Sequence, residues 1–420
     1  MNLNFDYIRR ETCRLCGSPF FSEKLALKPT GLANELFEDK NKALEADLFP
    51  LTLVMCSKCR HVQLQDIVKP QRLFDSYLYK TGLSRTFVKH FDQLAELIKT
   101  YVPKYGLVLE VGSNDGTLLE ALSKLNIQAV GLEPAENLNV EVRKKGLSVI
   151  TGYLEESLEN SELLSRAPYD LIVGNNVFAH IDDISLAIQV CVSLLKNQGK
   201  FVFEVAHLLS LVEHNLFDTI YHEHMSYHSI LALEPFLNEN NLEIIKVDLI
   251  STHGGSLRVV AQKTEKPKKL ESVHTQEILL REQKANLDNP AIFFKLQEAI
   301  TKQSKEVQTY LRENTTNKRI IGYGAPAKIV TYLTQLGLNE FQFEFIIDDN
   351  ELKQNKYLPQ TGIKIVNRNN LNSISDPESI VFVIFAWNLR EDICNRLKEK
   401  NLENSTVISF LPSLMKETIN

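Results

Sequence analysis

No run of about 18 consecutive apolar residues occurs in this chain, and its first residues lack the basic-then-apolar pattern of an export signal. A membrane-spanning helix is thereby excluded, and a cytoplasmic protein is expected. No excess of positive charge is present either: the formal net charge is −6, which gives no support to a general nucleic-acid or membrane-surface role. An anionic ligand would need a local basic pocket. No tandem repeat at a fixed short period is visible. Cysteine is sparse, with six in 420 residues. Four of them fall in two pairs, Cys13/Cys16 and Cys56/Cys59, while Cys191 and Cys394 stand alone. In a reducing compartment that paired spacing favours a metal over disulfides.

What is present describes a soluble globular chain, 44% apolar and 24% charged. Its length suggests about three domains. Residues 1–75 carry both cysteine pairs. Residues 76–262 begin with a helical bridge and pass at Leu107 into alternating strands and helices: LVLEVG, a helix through Leu118–Leu125, QAVGLEP, DLIVGNNV, a helix over Ile184–Leu195, and KFVFEV. This alternation predicts a parallel, doubly wound sheet. Residues 263–316 are polar with helical apolar spacing (Ile278, Leu279, Phe293, Phe294, Leu296, Leu311) and read as connecting helices. Residues 317–420 start a second, smaller α/β alternation with RIIGYGAPAKIVTYLTQLG, FEFIIDD and SIVFVIFAW.

The cysteine pattern is Cys13-Arg-Leu-Cys16-Gly17, then Cys56-Ser-Lys-Cys59-Arg60-His61. Two residues between thiols let both sulfurs face one ion, and two such knuckles supply the four thiolates that zinc accepts tetrahedrally. Four thiolates leave no open coordination position, so the zinc is expected to be structural, with Cys13, Cys16, Cys56 and Cys59 as ligands.

The turn after the first central strand is Glu110-Val-Gly112-Ser-Asn114-Asp115-Gly116. Its glycines let the backbone approach a ligand. Three details favour S-adenosylmethionine (SAM) over a dinucleotide. Glu110 precedes the first glycine, where an ammonium group would be met. The turn is acidic, which suits a cation and not a pyrophosphate. Glu133 ends the next strand, near the spacing at which an acid meets ribose hydroxyls. Gly112, Asn114, Asp115 and, at the end of a later strand, Asn175 complete the expected cofactor residues.

Beyond the fifth strand lies Tyr221-His222-Glu223-His224-Met-Ser-Tyr227-His228, a dense set of proton-transfer groups. Acid–base work is the favoured reading, with a catalytic metal or a structural polar cluster as alternatives. His180 follows the fourth strand and can approach the same cleft. His253-Gly254-Gly255-Ser256-Leu257-Arg258 precedes a strand, its glycines permitting close approach and Arg258 offering a cation. Tyr323 and Lys328 lie between strand and helix in the C-terminal domain, where a helix N-terminus and a lysine suit a pyrophosphate. His253, Gly254, Ser256, Arg258, Tyr323 and Lys328 form the expected substrate set.

In their order CRLCG, MCSKCRHVQL, EVGSNDG, GLEPA, NNVFAHIDD, FDTIYHEHMSY, THGGSLR, GYGAPAK and AWNLRED resemble the sugar C-methyltransferases of deoxysugar pathways over nearly the whole chain. The resemblance implies an N-terminal zinc-binding domain, a central Rossmann-like SAM methyltransferase domain and a C-terminal Rossmann-like domain that helps hold a sugar nucleotide. It implies methylation at C3 of a nucleotide-linked 4-keto-deoxy sugar; a monomer is expected. His224 would then be the general base, with Tyr221 and Glu223 beside it, His180 in the cleft, and a tyrosine from the bridge, either Tyr77 or Tyr79. Two positions depart from the family pattern: Arg60 and Ile329 stand where glycine is usual. An O- or N-methyltransferase, or a non-catalytic sugar-nucleotide-binding protein of the same fold, are the alternatives.

Overall fold

The computed structural model describes residues 7–69, 72–73, 82, 85–269, 272–374, 376–400 and 402–419. Tyr77 and Tyr79 lie outside the described residues, as does most of the bridge before residue 85.

The N-terminal part is built from β1 (Tyr7–Arg9), β2 (Phe21–Thr30), β3 (Phe49–Cys56), β4 (Val62–Leu64) and β5 (Asp66–Val68). β2, β3 and β4 form an antiparallel meander. A two-residue strand from the central part, Ser226–Tyr227, adds to the free edge of β4, so this sheet already reaches into the next domain. β3 is buried along nearly its whole length. Its Leu51, Leu53 and Met55 share a core with the C-terminal domain, whereas Cys56 packs into the core of the central sheet. A strand covered on both faces needs an almost continuous apolar run, and PLTLVMC supplies one.

The central sheet contains β6 (Leu107–Val111), β7 (Gln128–Glu133), β8 (Val149–Thr151), β9 (Tyr169–Asn175) and β10 (Leu195–Ala206). Ser226–Tyr227 is β11; β12 (Leu242–Ile250) and β13 (Ser256–Lys263) complete the sheet. Seven strands lie in the order β12-β13-β10-β9-β6-β7-β8, with β13 antiparallel to both neighbours. The winding reverses between β6 and β9, and open α/β sheets bind ligands beyond the strand ends at such a switch point. Helix Arg85–Tyr101 covers one face: Phe87, Phe91, Leu94, Ala95 and Ile98 recur at helical spacing and meet Val108, Leu118 and Leu122. Burying each of its larger apolar side chains stabilises the fold by about 1.5–3 kcal/mol.

Helices Val273–Lys284 and Ala291–Asn314 connect to the C-terminal sheet. Glu282 anchors the first of them. It is fully buried and accepts hydrogen bonds from His207 Nε2 and from the backbone N–H groups of Ile230 and Leu231, which open helix Ile230–Glu239. β14 (Arg319–Tyr323), β15 (Phe345–Ile347), β16 (Ile365–Val366), β17 (Ile380–Ile384), β18 (Thr406–Ser409) and β19 (Met415–Thr418) follow. Their order is β16-β15-β14-β17-β18-β19, parallel except for β19. Here too the winding reverses, between β14 and β17. The N-terminal part closes back onto this domain: Phe37 bridges Tyr357, Lys28 pairs with Gln335, and a side chain on Gly31 would strike Pro359. The molecule is thus an α/β protein whose three parts surround one cavity. No helix of the described residues is long and apolar enough to cross a membrane.

Candidate active site

The cavity has a volume of about 770 Å³ and is lined from all three parts of the chain. Its cofactor end is made by the strand ends at the switch point. Gly112 adopts φ 68°, and a Cβ there would stand 2.4 Å from Val177 Cγ2, so only glycine lets the turn close. Asn114 follows at φ 48°. Its N–H donates to Glu133 Oε2 at 3.0 Å, and Ala135 N–H donates to Oε1 at 2.9 Å. Glu133 therefore also holds the turn together. Asp115 is committed: it accepts from Thr117 Oγ1 at 2.6 Å and from the N–H of Gly82 at 2.8 Å.

Glu110 and Asn175 differ from these. Glu110 is buried, and its Oε2 has no hydrogen-bond partner among the described residues. Burial, then the nearby Asp115 and Glu133, push its carboxyl well above the ordinary range. The Asn175 side chain is likewise without partners at both Oδ1 and Nδ2 among the described residues. Unsatisfied buried polar atoms are costly, and those on a cavity wall are matched by a ligand. An acid that resists ionisation alone is relieved by a cation beside it, and the positively charged methionine portion of SAM supplies one.

Opposite lies the proton-transfer group. His224 Nδ1 sits 2.9 Å from the carbonyl oxygen of Thr219, so Nδ1 carries the proton and donates. Nε2 is left as an acceptor and receives the Tyr221 hydroxyl at 2.7 Å. Burial, reinforced by His180, holds His224 well below its usual value, so the ring is neutral. His180 stands with its ring centroid 5.0 Å from that of His224 and is itself lowered to about 4 by burial. Glu223 accepts from Asn34 Nδ2 at 2.6 Å, and burial raises its carboxyl to about 7. His222 and His228 do not reach the cavity. His222 donates to the Pro50 carbonyl, and both are buried.

At the substrate end the expected residues divide. His253, Tyr323 and Lys328 line the cavity, whereas Gly254, Ser256 and Arg258 do not. Arg258 is held by Glu204 at 2.6 Å, a carboxylate that also accepts from His90 Nε2 at 2.7 Å. Ser256 Oγ donates to the Thr252 carbonyl. Gly254 makes room for protein and not for a ligand: a Cβ there would lie 2.5 Å from the Trp387 ring and 2.7 Å from Leu216. Lys328 already has partners, since its Nζ is 3.3 Å from Asp218 and lies over the Trp387 ring, so an anion there would have to compete for it. Asn34 and Lys353 on the cavity wall, and Asp218 and Trp387 behind Lys328, are not legible in the sequence, because their partners lie far away along the chain.

The four sulfurs of Cys13, Cys16, Cys56 and Cys59 lie within 4.8 Å of one another, and among the described residues they form the sole group suited to a metal. The 3.5 Å Cys13–Cys59 and 3.6 Å Cys16–Cys56 separations match tetrahedral thiolates about 2.3 Å from one zinc. Their mutual contact pulls the Cys13 thiol down and pushes that of Cys59 up. This cluster is tied to the cavity. Arg14, between the first two cysteines and fully buried, pairs with Asp182 at 3.0 Å, two residues beyond His180. After the second knuckle, Leu64 N–H donates to Met225 O at 2.9 Å, and Met225 N–H donates to Ala179 O at 2.7 Å.

Three family models match in succession: a putative zinc binding domain over residues 13–74, a methyltransferase domain over 85–247 and a C-methyltransferase C-terminal domain over 251–412. The C-methyltransferase NovU of Streptomyces niveus is 29% identical over 405 residues, covering 93% of this chain and 92% of that protein. A mitochondrial ubiquinone biosynthesis O-methyltransferase from Rattus norvegicus is 31% identical over 102 residues, 22% of this chain and 28% of its own. Among solved structures, magnesium protoporphyrin IX methyltransferase from Synechocystis PCC 6803 with bound SAH is 18% identical, covering 42% of this chain and 83% of that one at a TM-score of 0.35. The ordered three-part match and the relative that spans it support a SAM-dependent C-methyltransferase similar to NovU, its four-cysteine cluster falling within the N-terminal match to the putative zinc binding domain.

Proposed function

We propose that the enzyme methylates C3 of a nucleotide-linked 4-keto-deoxy sugar through an enolate, acting as a monomer in the cytoplasm. The observation that carries this reading is the fixed tautomer of His224: a neutral imidazole on the cavity wall whose Nε2 is an acceptor, held by the Tyr221 hydroxyl. A saturated carbon is a poor nucleophile, but a neighbouring ketone acidifies its proton. His224 accepts the C3 proton at Nε2 while the C3–H electron pair moves into the enolate. The Tyr221 hydroxyl passes from Nε2 to the O4 oxygen, where negative charge develops, freeing the lone pair as it does so. Bound SAM supplies an electrophilic methyl group to the resulting carbon nucleophile. Glu110, Gly112, Asn114, Asp115, Glu133 and Asn175 form the cofactor end. Glu223 and Asn34 orient sugar hydroxyls, and Tyr323 and Lys328 face the nucleotide diphosphate.

The test uses the enzyme loaded with S-adenosylhomocysteine (SAH) and dTDP-, GDP-, UDP- or CDP-linked 4-keto sugars in heavy water. With no methyl available, deuterium incorporation at C3 reports proton removal alone. His224→Asn should abolish it. Tyr221→Phe should slow it by about 10²–10³, the usual effect of losing one such donor. A methyl ether product in the complete reaction would point to O-methylation, and a His224→Asn enzyme that still methylates C3 at the wild-type rate would end the proposal.

A further inference from the structure

Asp218 lies three residues before Tyr221 in the loop that carries the base, and its side chain is 1% exposed. Its Oδ2 accepts from Trp387 Nε1 at 2.8 Å and lies 3.3 Å from Lys328 Nζ. Both partners come from the C-terminal domain. Oδ1 has no hydrogen-bond partner among the described residues. Lys328 Nζ also lies 3.5 Å from the centroid of the Trp387 ring, so carboxylate, ammonium and indole form one closed group. The same domain grips the loop again two residues later, where Thr331 Oγ1 donates to Ile220 O at 2.8 Å. Between these two grips sits Thr219, whose carbonyl sets the tautomer of His224. Any shift of Asp218 is therefore felt at the acceptor that aims the base.

Lys328 is a cation on the cavity wall, already neutralised by a carboxylate that does not line the cavity. An anionic ligand arriving there must compete with Asp218 for it. We propose that Asp218 is a positioning residue which yields Lys328 to the diphosphate of the substrate and stays anchored by Trp387, so that nucleotide binding and the seating of His224 are coupled through one ion pair. The proposal rests on the reading that the substrate carries a nucleoside diphosphate near Lys328. Removing the competing charge should tighten nucleotide binding even as it loosens the loop. A residue that merely supports the fold has no reason to produce that combination.

The experiment titrates the SAH-loaded full-length enzyme with dTDP, UDP, GDP and CDP by calorimetry and measures kcat and KM with the best 4-keto sugar nucleotide. Asp218→Asn keeps an acceptor for Trp387 but loses the charge. It should bind the preferred diphosphate about five- to tenfold tighter, a change of the size expected from one weakened competing ion pair. KM should fall and kcat should fall with it. Trp387→Phe keeps a ring but removes the donor, leaving Asp218 more dependent on Lys328; its diphosphate affinity should drop. These opposite signs keep the idea testable if either variant folds poorly. Unchanged or weaker affinity in a folded Asp218→Asn enzyme overturns the coupling. Lys328→Met separates the two claims: if it and the wild type bind every diphosphate alike, the placement of the diphosphate is wrong and the coupling falls with it. If it loses affinity while Asp218→Asn gains none, only the coupling falls.

Discussion

Glu133 holds the turn and, as proposed, the cofactor with one carboxylate. Each oxygen already accepts a backbone N–H of the glycine-rich turn or of the following helix entry, and each still has a lone pair for a ligand hydroxyl. Glu133→Ala should therefore lower SAH affinity by at least tenfold, since hydrogen bonds to a charged group contribute about 1.5–3 kcal/mol each. Glu133→Gln, which keeps one acceptor, should lie between. Calorimetry giving equal SAH affinity for the alanine variant would remove Glu133 from the cofactor site. This residue was visible in the sequence because strand, glycine turn and second acid are local and evenly spaced. Asp218 was not, since its value depends on Trp387, which is 169 positions away. Gly254 marks the same limit. A glycine announces close approach but not of what, and here the neighbour is an indole and not a sugar.

The two cysteine knuckles matter as elements because each ends in a contact with a histidine-bearing loop. The second knuckle turns through Arg60 at φ 64°, a left-handed conformation, at the position where the family uses glycine. The departure seen in the sequence is thus tolerated at a modest cost in strain, and β4 still leaves the turn in register with Ser226 and Tyr227. Cys56→Ser should lower bound zinc below one ion per chain and reduce the thermal midpoint, as a lost structural site does. Arg14→Gln should behave differently. It should keep the zinc yet lower kcat roughly tenfold or more, because a misplaced reacting group is expensive. Metal analysis beside melting curves and steady-state kinetics separates the two; an Arg14→Gln enzyme with wild-type kcat would show that the clamp on Asp182 plays no part in catalysis. The paired cysteines announced the metal, but nothing in CRLCG announced that its arginine would be fully buried and reach residue 182.

The whole molecule stores several neutral histidines. Burial lowers His180, His222, His228 and His253 to about 4 each. An unfolded chain binds protons at these rings near 6.5, whereas the folded chain refuses them until about 4. Their contribution to stability is therefore complete above about pH 6.5 and is lost as pH falls towards 4. Glu223 works in the opposite sense: raised to about 7, it favours the folded state at low pH and loses that contribution as pH rises through 7. His61 and His224 are lowered as well, and these six rings outnumber the four carboxyls that burial raises, Glu110, Glu133, Glu155 and Glu223. Urea midpoints should fall from pH 6.5 to 5, and His228→Gln should reduce proton uptake on unfolding by about one; an uptake unchanged by that substitution would contradict the burial of this ring as a neutral group. At this scale the order of α/β parts was legible from alternating strand and helix patterns. Their mutual packing was not, because apolar strands such as β3 and β17 do not say which neighbour covers them.

That packing bears on how such an enzyme can change its substrate over time. Leu25, Leu27, Leu51 and Leu53 from the first part share one apolar core with Ile329, Val330 and Leu333 from the last, and with Leu216, Phe217 and Ile220 of the loop that carries His224. The segments are consecutive in the gene but interleaved in space. A recombination that imported a relative's C-terminal domain alone would set a foreign surface against the native N-terminal sheet and the native loop of His224. The exchangeable unit is therefore the two ends of the chain together, and new substrate preferences are more readily reached by point changes along the cavity wall than by the shuffling of modules.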